Sequence, residues 1–140
     1  MQFLKRYGLI LLIVLLAFAL RMYRLDFFSL RGDESFTVLF VLKPLAQMWR
    51  ETLTVEPNPP LLYFLLRGWV MLAGDGEFAT RFFSACFGVL CVPLLYRLAR
   101  EIFSARRIGL VAAFIIAINP YQIWHSQDVR NYTIWPALSL

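Results

Sequence analysis

Residues 7–20 read YGLILLIVLLAFAL, an apolar run without a charged side chain. Extended to Tyr23, the run is about 17 residues long, or roughly 26 Å as a helix, which is near the lower limit for crossing a bilayer. Arg21 and Arg24 lie at its far end, where long basic side chains can snorkel to the membrane interface. The run therefore predicts a membrane helix.

The composition of the whole chain indicates the same class of protein. Of the 140 residues, 60% are hydrophobic and 16% charged, whereas soluble domains have about 45–50% and about 25%. The formal net charge is +5, but the basic residues lie at the ends of apolar runs and form no basic stripe, so we expect no nucleic-acid partner. Cys86 and Cys91 share one apolar run without a CxxC spacing, which favours a packing role for both.

Two further stretches are long enough to span a membrane, at about residues 78–98 and 108–124. Together with residues 7–23 they predict an all-α integral membrane fold with three transmembrane helices. The tail from Tyr132 to Leu140 becomes apolar again, which predicts the start of a further span.

The first run has a second interpretation as a cleavable signal sequence. Ala17, Phe18 and Ala19 have the small-x-small form of a signal-peptidase site and follow two basic residues and an apolar core. The surrounding residues stay apolar, however, and further membrane segments follow. We therefore favour a retained anchor, and a mature protein beginning at Leu20 would reverse that choice.

Charge counting predicts how the chain crosses the membrane. The stretch 60–73 is short and contains Arg67; if it does not cross, the turn at 97–107, with four arginines and one glutamate, is cytoplasmic, as the positive-inside tendency requires. The amino terminus is then cytoplasmic too, in a bacterial inner or plasma membrane. The first outer loop contains two or three interfacial helices, at about 35–53, where Pro44 interrupts the apolar pattern, and at about 60–73.

The first outer loop contains two positions whose side chains could take part in chemistry. Asp33 and Glu34 lie about ten residues beyond the first span, where burial and nearby cations can tune the pKa of a carboxylate. They could equally cap or start a helix. Asn58 before Pro59 and Pro60 is either a helix cap or part of a rigid corner that aims its amide at a site.

The segment HSQDVRNY, residues 125–132, lies on the same outer side. Ser126 and Arg130 are four residues apart, as are Asp128 and Tyr132, so a helix would present two polar faces. Asp128 could also simply complement a helix amino terminus. The chain has one histidine, in this segment, which argues against a metal site built from histidines.

The motifs follow one another in a specific order. An apolar span leads to Asp33-Glu34, then to the Asn-Pro-Pro corner, then to GEFATRFFSACFGVL at 76–90, an arginine-rich turn, NPYQIW at 119–124 and SQDVRNY at 126–132. This order resembles the amino-terminal part of the polyprenyl-phosphate-dependent membrane glycosyltransferases of glycosyltransferase family 39, the clan of protein O-mannosyltransferases and lipid A aminoarabinose transferases. The resemblance extends from about Leu20 to Tyr132.

The resemblance implies an inverting transfer of a sugar from a polyprenyl-phosphate donor to an acceptor protein, lipid or glycan on the extracytoplasmic face. It implies Asp33 as the catalytic carboxylate with Glu34 beside it. Asn58 stands where relatives often have His or Lys, which puts in doubt a cation from that position. The substrate-binding candidates are Asn58, His125, Gln127, Asp128, Arg130 and Tyr132. The sugar, the acceptor and any need for a divalent metal stay open.

The members of this clan are several times longer, and three spans cannot enclose a cavity for a lipid donor and an acceptor. We therefore expect the chain to be a portion of a larger enzyme and to be inactive alone. The alternative is a small non-catalytic membrane protein or assembly partner whose acidic residues are only caps and surface charge. A transporter fragment is disfavoured because no carboxylate lies in the middle of an apolar span.

Overall fold

The computed structural model describes the backbone of residues 2–54 and 59–140, and the side chains of residues 7–54 and 59–140. The described structure is 79% helix and contains no strand, which confirms the predicted all-α class. The helices are α1 (Gln2–Met22), α2 (Gly32–Leu42), α3 (Leu45–Thr54), α4 (Leu61–Ala73), α5 (Glu77–Phe103), α6 (Arg106–Ile118), α7 (Pro120–Ser126) and α8 (Ile134–Ser139).

Helices α1, α5 and α6 pack into one bundle. On α1 the buried residues Ile10, Ile13 and Ala17 recur at the spacing of one helix face, and they belong to a single apolar cluster with α5 and α6. Ala17, Ala113 and Ala117 are completely buried in this cluster. Because small side chains let helix backbones approach closely, these alanines set the tight centre of the bundle.

A close contact also fixes the hairpin between α5 and α6. Ser104, which connects the two helices, has a left-handed backbone with φ 50°. A Cβ atom added to Gly109 would lie 2.7 Å from the carbonyl oxygen of Tyr96. Only glycine therefore allows α6 to lie this close to α5.

A sharp bend of 60° separates α6 from α7. Asn119 begins the second of these helices, because its side chain accepts a hydrogen bond from the backbone N–H of Gln122 at 3.1 Å. Pro120 occupies the first turn, where a missing backbone N–H is tolerated, but it cannot continue the preceding helix. The predicted span at 108–124 is therefore a broken pair of helices.

Among the described residues, α5 is the one helix that is long and apolar enough by itself to cross a membrane. The bent pair α6 and α7 qualifies as a second if it forms one span, whereas the apolar part of α1, Tyr7–Met22, and α4 are shorter. The predicted spans 7–23 and 78–98 coincide with α1 and α5. The count of three spans is not confirmed.

Arg21 does not snorkel, which corrects the expectation from the sequence. Its side chain is completely buried. The guanidinium donates hydrogen bonds of 3.2 Å to the carbonyl oxygens of Ala17, Ile116 and Ala117, and Nε donates to Ser126 Oγ at 3.1 Å. The reason is the bend after α6, which leaves the last carbonyl groups of that helix without helical partners; the arginine supplies the missing donors.

Helices α2, α3 and α4 form a second layer. The predicted helix at 35–53 is interrupted at Pro44, as its sequence indicated, and becomes α2 and α3. Arg67 on α4 secures the break, because its Nη1 donates to the carbonyl oxygens of Val41 and Lys43 at 2.5 and 2.6 Å. These carbonyl groups end α2, so the arginine acts as a cap from a neighbouring helix.

The carboxyl-terminal segment packs against both layers. Val129 and Ile134 are buried in the apolar cluster beneath α2 and α4. Thr133 Oγ1 donates to the carbonyl oxygen of Ser84 on α5 at 2.9 Å. The predicted start of a further span after Tyr132 corresponds to α8, which lies along α5.

Candidate active site

A buried ion pair between Glu34 and Arg81 joins α2 to α5. Arg81 Nε donates to Glu34 Oε1 at 3.0 Å, and Arg81 Nη2 donates to Oε2 at 2.7 Å, in a bidentate arrangement. The side chains are 2% and 7% exposed. Both residues lie near the first turns of their helices, so the pair brings two helix amino termini together.

Arg81 also holds the connection between α1 and α2. Its Nη1 donates to the carbonyl oxygens of Leu25 and Phe28 at 3.1 and 2.5 Å, and its Nη2 donates to that of Ser29 at 3.2 Å. An arginine carries five N–H donors, and those of Arg81 are all engaged within the protein. The side chain therefore shapes the site without a donor left for a ligand.

Glu34 accepts two further hydrogen bonds from backbone N–H groups. Arg31 donates at 3.0 Å and Val129 at 3.1 Å, so the carboxylate ties the α1–α2 connection to the α7–α8 connection. Burial raises the pKa of Glu34, but the hydrogen bonds from Arg81 and from these two N–H groups outweigh it and hold the pKa below its usual value. Such a carboxylate is a poor proton acceptor and a strong structural tie.

This tie creates a cleft of about 200 Å³, which we call the carboxylate cleft. Its lining residues are Arg31, Gly32, Asp33, Glu34, Asp128, Arg130 and Tyr132. Asp33 is exposed, and its carboxylate receives no hydrogen bond from any described residue. Arg130 reaches the opposite helix, where its Nη1 donates to Thr37 Oγ1 at 3.3 Å. Asp33 is thus the lining carboxylate that no described hydrogen bond or ion pair engages, whereas Glu34 and Asp128 both have partners.

A second cleft, of about 210 Å³, lies next to the first and shares Arg31 and Asp128 with it. We call it the aromatic cleft because Tyr23, Phe28 and Trp124 line it. The guanidinium carbon of Arg31 lies 4.4 Å from the centre of the Trp124 ring, and Arg31 Nη1 lies 4.0 Å from Asp128 Oδ1. Arg31 and Asp128 therefore form the wall between the two clefts.

Asp128 has an electrostatic environment opposite to that of Glu34. Burial and the nearby Glu34 carboxylate raise the pKa of Asp128, and the charges of Arg31, His125 and Arg81 offset only part of that rise. Asp128 thus keeps its proton to a higher pH than an ordinary aspartate, whereas Glu34 releases its proton at a lower pH. Carboxyl groups whose pKa values are pushed apart in one cleft are typical of acid–base sites.

His125 lies between two tyrosine rings. The ring centres of Tyr121 and Tyr132 lie 4.2 and 4.4 Å from that of His125, both in edge-to-face geometry. The buried Nδ1 makes no hydrogen bond within the described structure and lies 3.6 Å from Asp128 Oδ2. The imidazole therefore lies beside one carboxyl oxygen of Asp128, and Arg31 lies beside the other.

The structure brings most of the predicted site residues together. The carboxylate cleft contains Asp33, Glu34, Asp128, Arg130 and Tyr132. His125 lies beside it, and Gln127 lines the aromatic cleft, where its Nε2 donates to the carbonyl oxygens of Arg21 and Tyr23 at 3.1 and 3.0 Å. Asn58 lies outside the described residues. The functional roles of these residues stay predictions.

The sequence pattern does not single out Arg31, Arg81 or Trp124, although all three shape the site. Arg81 carried a usable signal, because an arginine near the start of a long apolar run must find acceptors when the run is buried. Arg31 and Trp124 carried none, since their contact joins segments far apart in the chain. No group of three or more His, Cys, Asp and Glu residues that could hold a metal ion occurs among the described residues.

A family model described as dolichyl-phosphate-mannose-protein mannosyltransferase matches residues 57–138, more than half of the chain. The matched range includes Arg81 and the segment 125–132, and it leaves out Asp33 and Glu34. No curated protein and no solved structure matches the chain.

Proposed function

Because the chain belongs to the dolichyl-phosphate-mannose-protein mannosyltransferase family, we propose that it carries the proton acceptor of an inverting membrane glycosyltransferase. Membership implies a lipid-linked sugar donor and an acceptor in a membrane context. The proposal adds that the donor is a polyprenyl-phosphate sugar and that transfer occurs on the extracytoplasmic face. It also includes three spans and a cytoplasmic amino terminus.

One observation carries this proposal. The tie from Arg81 through Glu34 to the backbone of Val129 gathers Asp33 and Arg130 at one cleft, although Asp33 lies on α2 and Arg130 in the connection between α7 and α8. A non-catalytic membrane protein has no need to gather acidic and basic side chains at an open cleft. A glycosyltransferase requires both, since it removes a proton from the acceptor and stabilises an anionic leaving group.

Asp33 is the proposed base. A hydroxyl group is a poor nucleophile, so the carboxylate takes its proton while the acceptor oxygen forms a bond to the anomeric carbon. Positioned proton transfer of this kind contributes a rate factor of about 10²–10⁴. The bond from the anomeric carbon to the phosphate oxygen breaks in the same displacement, its electron pair leaves with the polyprenyl phosphate, and the configuration inverts.

Arg130 and Arg31 are the proposed partners of the departing phosphate. Both line the carboxylate cleft, and Arg31 is half exposed. Guanidinium groups aimed at an oxygen that gains negative charge stabilise the transition state more than the ground state. Asp128 holds Arg31 at the wall between the clefts, because its Oδ1 lies 4.0 Å from Arg31 Nη1.

The test is Asp33→Asn in the full-length product of the gene, assayed in membranes that contain it. We expect transfer of labelled sugar from a polyprenyl-phosphate donor to fall by about 10²–10⁴-fold, with unchanged protein level. Asp26→Asn is the matched control, because Asp26 is an exposed aspartate in the connection that leads to α2 and it lines neither cleft. Transfer that is unaffected by Asp33→Asn contradicts the proposal and favours the non-catalytic alternative.

A further inference from the structure

A third cavity lies away from both clefts, between α1 and α5. It is a groove of about 580 Å³, within the range of about 300–1,000 Å³ that is usual for small-molecule sites. Ile10, Leu11 and Val14 line it from α1, and Pro93 and Tyr96 line it from α5. Its walls are therefore almost wholly apolar.

The packing of the bundle explains why the groove is open. Helix α1 meets α5 and α6 closely at Ala17, where the facing side chains are small. Helix α6 stays close to α5 as far as Gly109, beside Tyr96. In the described part of α1 before Ala17, larger side chains (Ile10, Leu11 and Val14) face α5, and a trough remains between the two helices.

The open groove ends at basic side chains. Arg97 and Arg100 line this end together with Glu101, and Arg97 Nε donates to Glu101 Oε1 at 3.0 Å. Among the described lining residues, one carboxylate pairs with one of the two arginines, which leaves an excess of one positive charge at this end of the groove. Arg100 is exposed, and its charge has no described carboxylate partner.

We propose that this groove binds a membrane phospholipid with an anionic headgroup. The acyl chain lies against the apolar walls, and the phosphate is held by Arg100 with Arg97 beside it. Basic pockets at the ends of membrane helices attract anionic headgroups through local charge, whereas a zwitterionic headgroup brings its own cation to the arginines.

This lipid is not the sugar donor. Arg81, at the carboxylate cleft, and Arg100 are 19 residues apart on α5, which is roughly 28 Å along a helix. The groove therefore lies at the opposite end of the bundle from the proposed chemistry. The proposal is independent of the proposed function, and the bound lipid would fill the gap between α1 and α5.

The test uses the 140-residue chain purified in detergent and titrated with dioleoyl phosphatidylglycerol or dioleoyl phosphatidylcholine, which share their acyl chains and differ in the headgroup, anionic in the first and zwitterionic in the second. Native mass spectrometry should show one phosphatidylglycerol retained in preference to phosphatidylcholine. Arg100→Gln should weaken that binding about fivefold, as expected for one basic residue at a membrane surface. Arg107→Gln is the control, because Arg107 belongs to the same basic turn and does not line the groove.

Val14→Trp tests the apolar wall separately, since an indole ring would occupy the groove without changing its charge. We expect it to reduce retention of phosphatidylglycerol to the level of phosphatidylcholine. Equal retention of the two lipids by the unmodified chain, or equal losses with Arg100→Gln and Arg107→Gln, would overturn the proposal. Soluble glycerol 3-phosphate that fully displaces phosphatidylglycerol would also overturn the proposal, because it would show that the groove binds a free anion. So would a dimer of the chain that covers the groove and excludes the lipid.

Discussion

Asp33 and Glu34 are adjacent and chemically alike, yet the structure gives them different surroundings. Consecutive residues of a helix point about 100° apart, so the Glu34 carboxylate reaches Arg81 on α5 while the Asp33 carboxylate does not. Glu34 meets Arg81 and is buried, whereas Asp33 stays exposed. The two side chains differ in the direction in which they leave α2. Glu34 is therefore a structural residue, and Asp33 is the proposed base.

Glu34→Gln tests the structural tie. We expect it to lower the free energy of unfolding by about 3–5 kcal/mol at neutral pH, because it leaves the buried Arg81 guanidinium without a charged partner. Asp33→Asn should change stability by less than about 0.5 kcal/mol, since Asp33 is exposed and unpaired. Denaturant titration followed by circular dichroism in detergent micelles measures both, and similar stability of the two variants would refute the tie.

The effect of Glu34→Gln should depend on pH. The pKa of Glu34 in the folded protein lies below the unfolded reference of 4.5, so its charge stabilises the fold above that pH. This contribution is lost as the pH falls through the folded pKa, where both states bind the proton. The stability difference from the unmodified chain should therefore shrink progressively below pH 4.5. A difference that stays constant down to strong acid would contradict the lowered pKa.

At the scale of helices, one glycine controls the contact between α5 and α7. A Cβ atom on Gly88 would lie 2.7 Å from Ser126 Cβ and 3.1 Å from Arg21 Nε. Gly88→Ala should therefore destabilise the protein by about 1–3 kcal/mol through overpacking. Gly68→Ala makes the same change on α4, where a Cβ meets no atom within 4 Å, and should stabilise it by about 0.5–1 kcal/mol. Thermal unfolding measures both, and shifts of the same sign would contradict this account.

Arg21 and Pro120 compensate for each other at the bend between α6 and α7. The carbonyl group of Ile116 would bond to the N–H four residues later in a continuous helix, but Pro120 has none. Arg21 Nη2 donates to this carbonyl oxygen instead, at 3.2 Å. Arg21→Met should therefore cost about 1–3 kcal/mol for each buried carbonyl left without a donor.

A double-mutant cycle tests that compensation. Pro120→Ala restores a backbone N–H, so its combination with Arg21→Met should be less destabilised than the sum of the single variants. Arg24→Met, at an exposed neighbouring arginine, should change stability by no more than about 0.5 kcal/mol. Additive effects of the two substitutions would show that the arginine stabilises the bundle in another way.

At the scale of the whole molecule, local patterns predicted the positions of the helices and the break at Pro44, because apolar runs and prolines act over a few residues. The same patterns predicted one continuous span at 108–124 that ran through Pro120. An asparagine followed by a proline, as at 119 and 120, is however typical of the start of a new helix. The ties that build the site join residues 47 positions apart, as in Arg81 and Glu34, or 105 apart, as in Arg21 and Ser126. No periodicity within one helix can predict such pairs.

At the same scale, these ties make the proposed arrangement of the chain in a membrane testable. Asp33 and Asp128 line one cleft, so we expect them to face the same compartment. Ser104 lies beyond the far end of α5, a helix of 27 residues that is roughly 40 Å long. With Cys86 and Cys91 replaced by alanine, single cysteines at 33 and 128 should react alike with a membrane-impermeant maleimide added to intact cells.

A cysteine at position 104 should react with that maleimide only after the membrane is permeabilised, because the arginine-rich turn is proposed to be cytoplasmic. Labelling of all three positions from outside would contradict the proposal that α5 crosses the membrane. It would still agree with a cleft that contains both position 33 and position 128. Labelling of 33 and 128 from opposite sides would be more serious. It would separate the proposed base from Arg130, which is held with Asp128 in one short segment, and the proposed transfer would then lack its phosphate partner.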